Sequence, residues 1–330
     1  MPRRYVTQLG HQEALDEVFV ASNKQLRPNR NGNLYLQVEL SDRSGSVSAR
    51  MWNATDAGYQ AFENGDYVRV EGTSQLFQGA MQVIANRITR VDSAAVDEAE
   101  FNPLSLAEVD RLLARLRELV RGLTDPHLRN LADSFLLDDQ FIDRFARAPA
   151  GVKNHHAYRG GLLKHTVAVM ELVHRLAPCY PQIDCDLLLL GAMLHDVGKI
   201  DELSYDRDLA YTDEGQLVGH LVMAVSLLER KVAEAERLSG DAIPPETVLR
   251  LKHMIVSHHG SYEFGSPKLP MTPEAVALCQ LDNLDAKVEN FSQQIRDDPN
   301  TDSAWTTYYP NLARKLFKGA PDRQDPAVNE

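Results

Sequence analysis

Cysteine is scarce in this sequence, and its spacing suits neither a disulfide framework nor a thiolate metal site. Three cysteines occur, at Cys179, Cys185 and Cys279, without C-x-x-C spacing, which is typical of reduced cytoplasmic thiols. No run of about eighteen apolar residues exists, so we expect no transmembrane helix. The first residues, MPRRYVTQLGHQEALDE, contain no apolar core, so we expect no secretory signal. These absences favour a cytoplasmic protein without a membrane partner.

A surplus of positive charge is absent as well. The 330 residues include 35 Lys and Arg against 47 Asp and Glu, which gives a formal net charge of −12. Such an acidic chain is not expected to coat nucleic acid through bulk electrostatics, although a local binding groove is still compatible with it. The composition, 43% hydrophobic and 25% charged, is typical of a globular protein. The length is sufficient for one large domain or two ordinary ones.

Residues 12–91 have the pattern of a β domain. Five β-rich or alternating runs are separated by turn sequences such as PNRNGN, SDRSG and NGD. With a helix expected at residues 57–63, this order fits a five-stranded Greek-key barrel. The sequences SDRSGSVSARMW and GDYVRVEGTSQLFQGAMQVIANRITRV resemble the OB-fold of nucleic-acid-binding proteins. The expected strands are at residues 18–20, 34–40, 47–52, 67–72 and 81–91.

The period of apolar residues becomes helical after an acidic connector at residues 92–103. Ser105 and Glu108 form a capping-box pattern at the start of the first helix. A second helix is expected at residues 125–146. We therefore expect a multidomain protein in which an all-α helical bundle follows the OB-like β-barrel. The expected domains are the barrel at residues 1–95, connecting helices at 96–150, the main bundle at 151–318 and a disordered tail at 319–330.

Histidine is the unusual component, because most of the 11 histidines fall between His155 and His259. Several lie beside aspartate or at the ends of apolar helices, where a buried imidazole or carboxylate needs a compensating partner such as a metal ion. The run LLLLGAMLHDV is one such helix, with Gly198 as its expected C-cap. Imidazole and carboxylate ligands without thiolate suit Mn²⁺, Fe²⁺, Co²⁺, Ni²⁺ or Zn²⁺. The side chains placed in this way are His165, His195, Asp196, His220, His253, His258, His259 and Asp282.

The order H…HD…H…HH…D and the run LLLLGAMLHDVGKIDEL resemble the HD superfamily of metal-dependent phosphohydrolases. The resemblance implies two divalent cations, with Mn²⁺ favoured and Fe²⁺, Co²⁺, Ni²⁺, Zn²⁺ and Mg²⁺ as alternatives. Asp285 is an alternative to Asp282 as a ligand. The ligands implied for one ion are His165, His195, Asp196 and Asp282. Those implied for the other are Asp196 as the bridge, His220 and His258, with His259 as a further candidate.

Asp196 and Lys199 are the catalytic residues that this resemblance implies. Two cations bridged by a carboxylate lower the pKa of a shared water and clamp the oxygens of a phosphoryl group. Lys199 would stabilise negative charge on a phosphate oxygen or orient Asp196. The alternative for Lys199 is a solvated charge at a helix end.

Two further sequences flank the candidate ligands, NHHAYRGGLLKHT before the first and SHHGSYEFGSPKLPMTPEA with LDNLDAK at the last. Together with the preceding barrel, they resemble the YhaM-type 3′→5′ exoribonucleases over residues 12–318. The resemblance implies metal-dependent release of nucleoside 5′-monophosphates from the 3′ end of single-stranded RNA, with single-stranded DNA as a further candidate substrate. Hydrolysis of small nucleotides and non-catalytic nucleic-acid binding are the alternatives, and a homo-oligomer is compatible with each.

Several other residues are candidates for substrate binding. Arg43, Arg50 and Arg69 are possible phosphate partners in the barrel, where aromatic side chains could stack on bases. The run WTTYYPNLARKLFKG near the C-terminus could grip RNA or form a docked amphipathic helix. The main candidates are His155, His156, Tyr158, Arg159 and Glu263 near the metal ligands, and Tyr35, Trp52 and Phe77 in the barrel.

Overall fold

A computed structural model gives the architecture of the chain. It describes residues 3–29, 31–77, 80–152, 156–176, 179–205, 209–296, 298, 300 and 303–319. The chain divides into two compact units, one formed by Met1–Pro103 with Asn290–Glu330 and the other by Leu104–Glu289. These bounds differ from the expected ones, because the connecting helices group with the bundle and the segment after residue 289 groups with the barrel. The expected tail, beyond residue 319, lies outside the described residues.

The first unit contains a closed barrel with strand order β1-β2-β3-β5-β4. Neighbouring strands are antiparallel except β3 and β5, which are parallel, and β1 pairs with β4 to close the barrel. This confirms the fold expected from the OB resemblance, with a short helix, α1 (Asp56–Gln60), between β3 and β4. The strands are β1 (Ala14–Pro28), β2 (Leu34–Asp42), β3 (Gly45–Trp52), β4 (Tyr67–Phe77) and β5 (Ala80–Arg90).

Alternation of side chains explains the barrel core. On β2, Leu36, Val38 and Leu40 are fully buried, while the residues between them are partly exposed. A strand places successive side chains on opposite faces, so this period of two turns one face of β2 inward. Gly72 marks a register shift in β4, and a side chain there would lie only 3.0 Å from the Cα atom of Ala85. Glycine therefore allows the close approach that closes this side of the barrel.

In the described part of the chain, ten helices and a two-stranded ribbon lie wholly or mostly in the second unit. The Ser105–Glu108 capping box is present at the start of α2, as expected. The single helix expected at residues 125–146 is wrong, because α3 ends before Leu137 and Asp138 caps a new helix. The helices are α2 (Leu106–Arg121), α3 (Pro126–Leu136), α4 (Asp139–Arg147), α5 (Gly161–Leu176), α6 (Cys185–Leu194), α7 (Lys199–Glu202), α8 (Asp213–Val218), α9 (His220–Ser239), α10 (Pro245–Ser257) and α11 (Pro273–Arg296). The ribbon strands are β6 (Leu203–Ser204) and β7 (Ala210–Tyr211).

Helix α6 lies at the centre of this unit. All its residues from Leu187 to Leu194 are buried, as expected for a helix that is apolar on every side. The chain continues from its end directly into His195 and Asp196, which are therefore also buried. No helix in the described part of the chain has both the length and the apolar character needed to cross a bilayer.

The segment of residues 303–319 forms isolated antiparallel bridges, Trp305 with Phe317 and Tyr309 with Arg314. The alternative of an amphipathic helix at this position is therefore wrong. Pro310 lies between the bridged residues, and proline has no N–H for a helical hydrogen bond.

Candidate metal centre

Five helices and the residues that directly follow them bring together all seven candidate metal ligands. His165 lies in the second turn of α5, and His195 and Asp196 follow the last residue of α6. His220 is the first residue of α9, while Asp282 lies in α11. His258 and His259 follow α10 directly. Residues far apart in the sequence thus meet at one place because each is fixed to a helix of the same core.

Asp196 lies at the centre of this cluster, and its two oxygens face different histidines. The Oδ2 atom is 3.7 Å from the Nε2 atom of His165 and 3.4 Å from that of His195. The Oδ1 atom is 3.6 Å from the Nε2 atom of His220 and 3.5 Å from that of His258. Oδ1 is buried without a hydrogen-bond partner among the described residues. A buried carboxylate oxygen in this situation calls for a cation.

Two groups of ligand atoms share Asp196. In the first, the Nε2 atom of His165 is 3.2 Å from the Nε2 atom of His195 and 3.2 Å from Oδ1 of Asp282. In the second, the Nε2 atoms of His220 and His259 are 3.2 Å apart. Metal–nitrogen bonds of ~2.0–2.1 Å place neighbouring ligand atoms about 3 Å apart, so these distances suit ligands of a common ion.

Hydrogen bonds to the main chain fix the tautomers of three of these histidines. The Nδ1 atom of His195 donates to the carbonyl of Ala192, and that of His258 donates to Ile255, both at 2.8 Å. The Nδ1 atom of His259 donates to the carbonyl of Phe264 at 2.9 Å. In a neutral imidazole the other nitrogen then carries a lone pair. In that neutral form the three Nε2 lone pairs are free to bind divalent metal ions.

The charges of the cluster agree with this arrangement. Burial opposes ionisation of Asp196, but Lys199 and His195 hold the pKa of its carboxyl well below the usual range. Burial would also lower the pKa of His165, but its bonds with Asp282 and Asp285 raise that pKa to about 9. Burial lowers the pKa of His259 to about 4. The centre thus combines ionised carboxylates with at least one imidazole that is neutral at pH 7.

Lys199 contacts the carboxylate that the two groups share. Its Nζ atom lies 2.7 Å from Oδ2 of Asp196, and the side chain is largely buried. Burial would lower the pKa of Lys199, but the Asp196 carboxylate raises it. This contact favours the orienting role expected for Lys199 over that of a solvated charge.

Gly198 allows two ligand-bearing segments to approach closely. It was expected to be the C-cap of the preceding helix, but it is instead the N-cap of α7, with a φ of −63°, so that expectation is wrong. A Cβ atom at Gly198 would lie 2.8 Å from the main-chain nitrogen of Ala224 and would overlap the carbonyl oxygen of His220. The glycine therefore lets the turn after Asp196 lie directly against the first turn of α9.

The residues expected to bind the terminal nucleotide differ from one another in burial and in hydrogen-bond partners. His156 is buried, with Nδ1 at 3.1 Å from the hydroxyl of Tyr158 and Nε2 at 3.5 Å from Oδ2 of Asp285. The Nε atom of Arg159 donates to the carbonyl of Tyr205 at 3.1 Å. Glu263 is exposed in a short turn, Tyr262–Phe264, after the last two candidate histidines. The expectation for His155 lies outside the described residues.

The aromatic candidates of the barrel share one surface. The rings of Tyr35 and Trp52 pair across β2 and β3 with centroids 5.1 Å apart. Arg50 lies two residues before Trp52 on the same face of β3, and its guanidinium carbon is 5.9 Å from the ring centre of Phe77. The side chains of Trp52 and Phe77 are exposed. Arg69 is paired instead with a carboxylate of the same barrel, that of Asp16, at 2.6 Å.

Arg43, the remaining arginine candidate of the barrel, is also paired within its own unit. Its Nη1 atom lies 3.9 Å from a carboxylate oxygen of Glu100, and its guanidinium is 4.4 Å from the ring centre of Tyr5. Arg50 is thus the arginine most closely associated with the exposed aromatic side chains.

Two carboxylates contact the Nδ1 atoms of candidate ligand histidines, a supporting role that the sequence did not indicate. Oε1 of Glu202 accepts from Nδ1 of His220 at 2.9 Å, and Oδ2 of Asp285 is 2.7 Å from Nδ1 of His165. Asp285 therefore lies on the opposite side of the imidazole from Asp282. Glu202 follows His195 and Asp196 closely in the sequence. No spacing rule distinguishes it from a surface glutamate at a helix end.

Comparison with known proteins gives consistent matches over most of the chain. Residues 162–287 match the HD domain family, and residues 19–91 match the family described as OB-fold nucleic acid binding domain. A relative from Bacillus velezensis is 33% identical over 277 residues, which are 84% of this chain and 86% of that protein. One from Halalkalibacterium halodurans is 33% identical over 86% of both chains. One from Bacillus subtilis is 32% identical over 86% of this chain and 88% of its own length. All three are named 3′-5′ exoribonuclease YhaM.

Proposed function

The chain belongs to the YhaM family of 3′-5′ exoribonucleases, and on that premise we propose that it is a metal-dependent 3′→5′ exoribonuclease. Its substrate is single-stranded RNA, from whose 3′ end it releases nucleoside 5′-monophosphates. Single-stranded DNA is a second candidate substrate of the same reaction. The observation that carries the proposal is the position of the Asp196 carboxylate, whose two oxygens face two separate pairs of imidazole nitrogens.

The centre is proposed to hold two divalent cations, with Mn²⁺ favoured. Asp282 rather than Asp285 is proposed as the aspartate of α11 that binds metal, because its Oδ1 atom lies on the Nε2 side of His165. Cations bound there would supply Lewis acidity for activating water and neutralising phosphate charge. The first position comprises His165, His195, Asp196 and Asp282. The second comprises Asp196, His220, His258 and His259.

The side chains of the protein orient the reacting groups. Lys199 holds Oδ2 of Asp196 and thus fixes the plane of the shared carboxylate. The main-chain carbonyls behind His195 and His258 prevent these rings from rotating. Because the ligands are held before substrate binds, little reorganisation is needed during the reaction. We propose that His156 and Tyr158 support His165 instead of contacting the substrate. Glu263 is exposed and remains a proposed substrate contact.

The barrel surface formed by Tyr35, Trp52, Phe77 and Arg50 is proposed to bind the single strand. Aromatic rings stack on bases without strong sequence preference, and an arginine among them can contact a phosphate. A small local surface of this kind is compatible with the net charge of −12. Association of several copies would add barrels to one RNA and strengthen binding.

A cytoplasmic location is proposed on the basis of the cysteines. Cys179, Cys185 and Cys279 are all free thiols in the structure, as is usual in a reducing compartment.

The test is digestion of a 5′-labelled single-stranded RNA by the purified protein with Mn²⁺. A descending ladder with release of nucleoside 5′-monophosphates is expected. Asp196→Asn should reduce the rate of digestion more than ~100-fold. Substitution of a residue that only supports a metal ligand typically costs about 10–100-fold, so the loss of a ligand should exceed that. The matched control is Asp186→Asn, since this carboxylate accepts from the main-chain nitrogens of Thr124 and Asp125 instead of facing the centre.

Other outcomes would contradict the proposal. Turnover of small nucleotides with an intact oligomer would indicate a hydrolase in which the barrel has a regulatory role. Binding of RNA without cleavage under any divalent metal would indicate a non-catalytic binding protein. Full activity of Asp196→Asn would show that the reaction occurs elsewhere in the molecule.

A further inference from the structure

The five histidines of the centre differ in what holds their Nδ1 atoms. Three donate to main-chain carbonyls, whereas two are bonded to carboxylates. The two with carboxylate partners are His165, with Asp285, and His220, with Glu202. They belong to different groups of ligand atoms, so each proposed metal position contains one histidine of this kind.

Asp285 is held from a second side. His156 lies 3.5 Å from the same Oδ2 atom that contacts His165, and the His156 ring lies against that of His165 at 5.8 Å between centroids. The backbone of His156 has a φ of +54°, which is uncommon for a residue with a side chain. A Cβ atom at Gly161 would lie 2.8 Å from the His156 carbonyl carbon, so the glycine permits this conformation. Strained backbone of this kind persists where the surroundings enforce it, which is common at functional sites.

Glu202 holds His220 through two hydrogen bonds to one oxygen. Its Oε1 atom accepts from Nδ1 at 2.9 Å and from the main-chain nitrogen at 3.0 Å. The carboxylate is buried, and His220 lowers its pKa although burial would raise it. Glu202 is itself fixed, because its carbonyl accepts from the main-chain nitrogen of Thr212 at 2.9 Å.

We propose that Asp285 and Glu202 are positioning residues, each of which sets the affinity of one metal position. Asp285 acts on the first position through His165, and Glu202 acts on the second through His220. A carboxylate that accepts from Nδ1 fixes the rotation of the ring and raises the basicity of Nε2. The two positions can therefore be weakened separately, although they share Asp196. This inference rests on the proposed two-metal function.

The test measures Mn²⁺ binding to the metal-stripped full-length protein by calorimetry, without RNA. Wild-type protein is expected to bind two ions. Asp285→Asn and Glu202→Gln should each weaken one of the two binding steps by about 10–100-fold and leave the other within threefold. The two variants should affect different steps, and the double variant should weaken both.

The controls separate positioning from folding. Asp186→Asn and Glu274→Gln remove carboxylates that bond main-chain nitrogens elsewhere in the same unit, so neither should change Mn²⁺ affinity. Asp285→Glu keeps the charge and should recover part of the lost affinity, which a purely steric defect would not allow. Circular dichroism of each metal-stripped variant verifies the fold.

Three results would overturn the inference. These are a single Mn²⁺ ion in the wild-type protein, equal weakening of both steps by either variant, and no change beyond that of the controls. Separate weakening of the two steps in a protein that leaves RNA uncleaved would refute the proposed exoribonuclease activity while supporting the positioning roles.

Discussion

Gly198→Ala is expected to damage the metal centre although Gly198 has no side chain to contribute. The new Cβ atom would lie 2.8 Å from the nitrogen of Ala224 and closer still to the carbonyl oxygen of His220. Ordinary carbon contacts lie near ~3.5 Å, so the first turn of α9 must move by roughly 1 Å. Overpacking of this kind costs about 1–3 kcal/mol of unfolding free energy.

The same movement displaces His220 from Asp196. A misplacement of ~1 Å can reduce a rate by about 100-fold. We therefore expect Gly198→Ala to fold with a lower melting temperature, to bind the second Mn²⁺ weakly and to digest RNA about 100-fold more slowly. Single-turnover digestion of a 5′-labelled oligomer at saturating Mn²⁺ separates the rate effect from the loss of metal.

A matched glycine provides the control. Gly122 has a φ of −71°, similar to that of Gly198, and a Cβ atom there would meet only the carbonyl of Leu119 at 3.1 Å. Gly122→Ala should therefore change the RNA digestion rate less than twofold. If Gly198→Ala also retained wild-type Mn²⁺ affinity and rate within twofold, the close approach of the two segments would have no role in building the centre.

Two further predictions concern pH and RNA binding. The raised pKa of His165, about 9 in the folded protein, contributes stability that is complete below its unfolded value of ~6.5 and is lost as pH rises through about 9. Thermal melts of metal-stripped protein should therefore show a loss of up to roughly 3 kcal/mol between pH 7 and 10, and no such loss would contradict the charged state inferred for His165. Trp52→Ala should weaken binding of single-stranded RNA by about 1–3 kcal/mol in a filter-binding assay, whereas unchanged affinity would exclude stacking on Trp52.

The barrel was predictable because its signals are local. The alternation of Leu36, Val38 and Leu40 and the turn residues on either side of β2 are enough to indicate a strand with one buried face. Boundaries were less predictable, since β1 runs from Ala14 to Pro28 although only its central residues have a strong β pattern. The break after α3 depends on Asp138, which could cap a helix or lie within one.

The order of histidines and aspartates in the sequence was enough to propose the metal ligands, but it did not indicate the carboxylates that support them. His165 and Asp285 are 120 residues apart in the chain, and only the packing of α5 and α11 brings them together. The role of Gly198 also escaped sequence reasoning, because a glycine after a helix usually indicates a left-handed cap. Its function depends on the position of α9, which no local pattern specifies.

The unit that contains the barrel is discontinuous in sequence, and this affects biosynthesis. The chain leaves that unit after Pro103, forms the entire helical unit and returns at Asn290. At ~5–20 residues per second, a ribosome needs roughly 10–40 s to make the intervening part. The five strands thus emerge long before the segment that groups with them. A chain ended at Glu289 would contain every proposed metal ligand and yet lack part of the barrel unit.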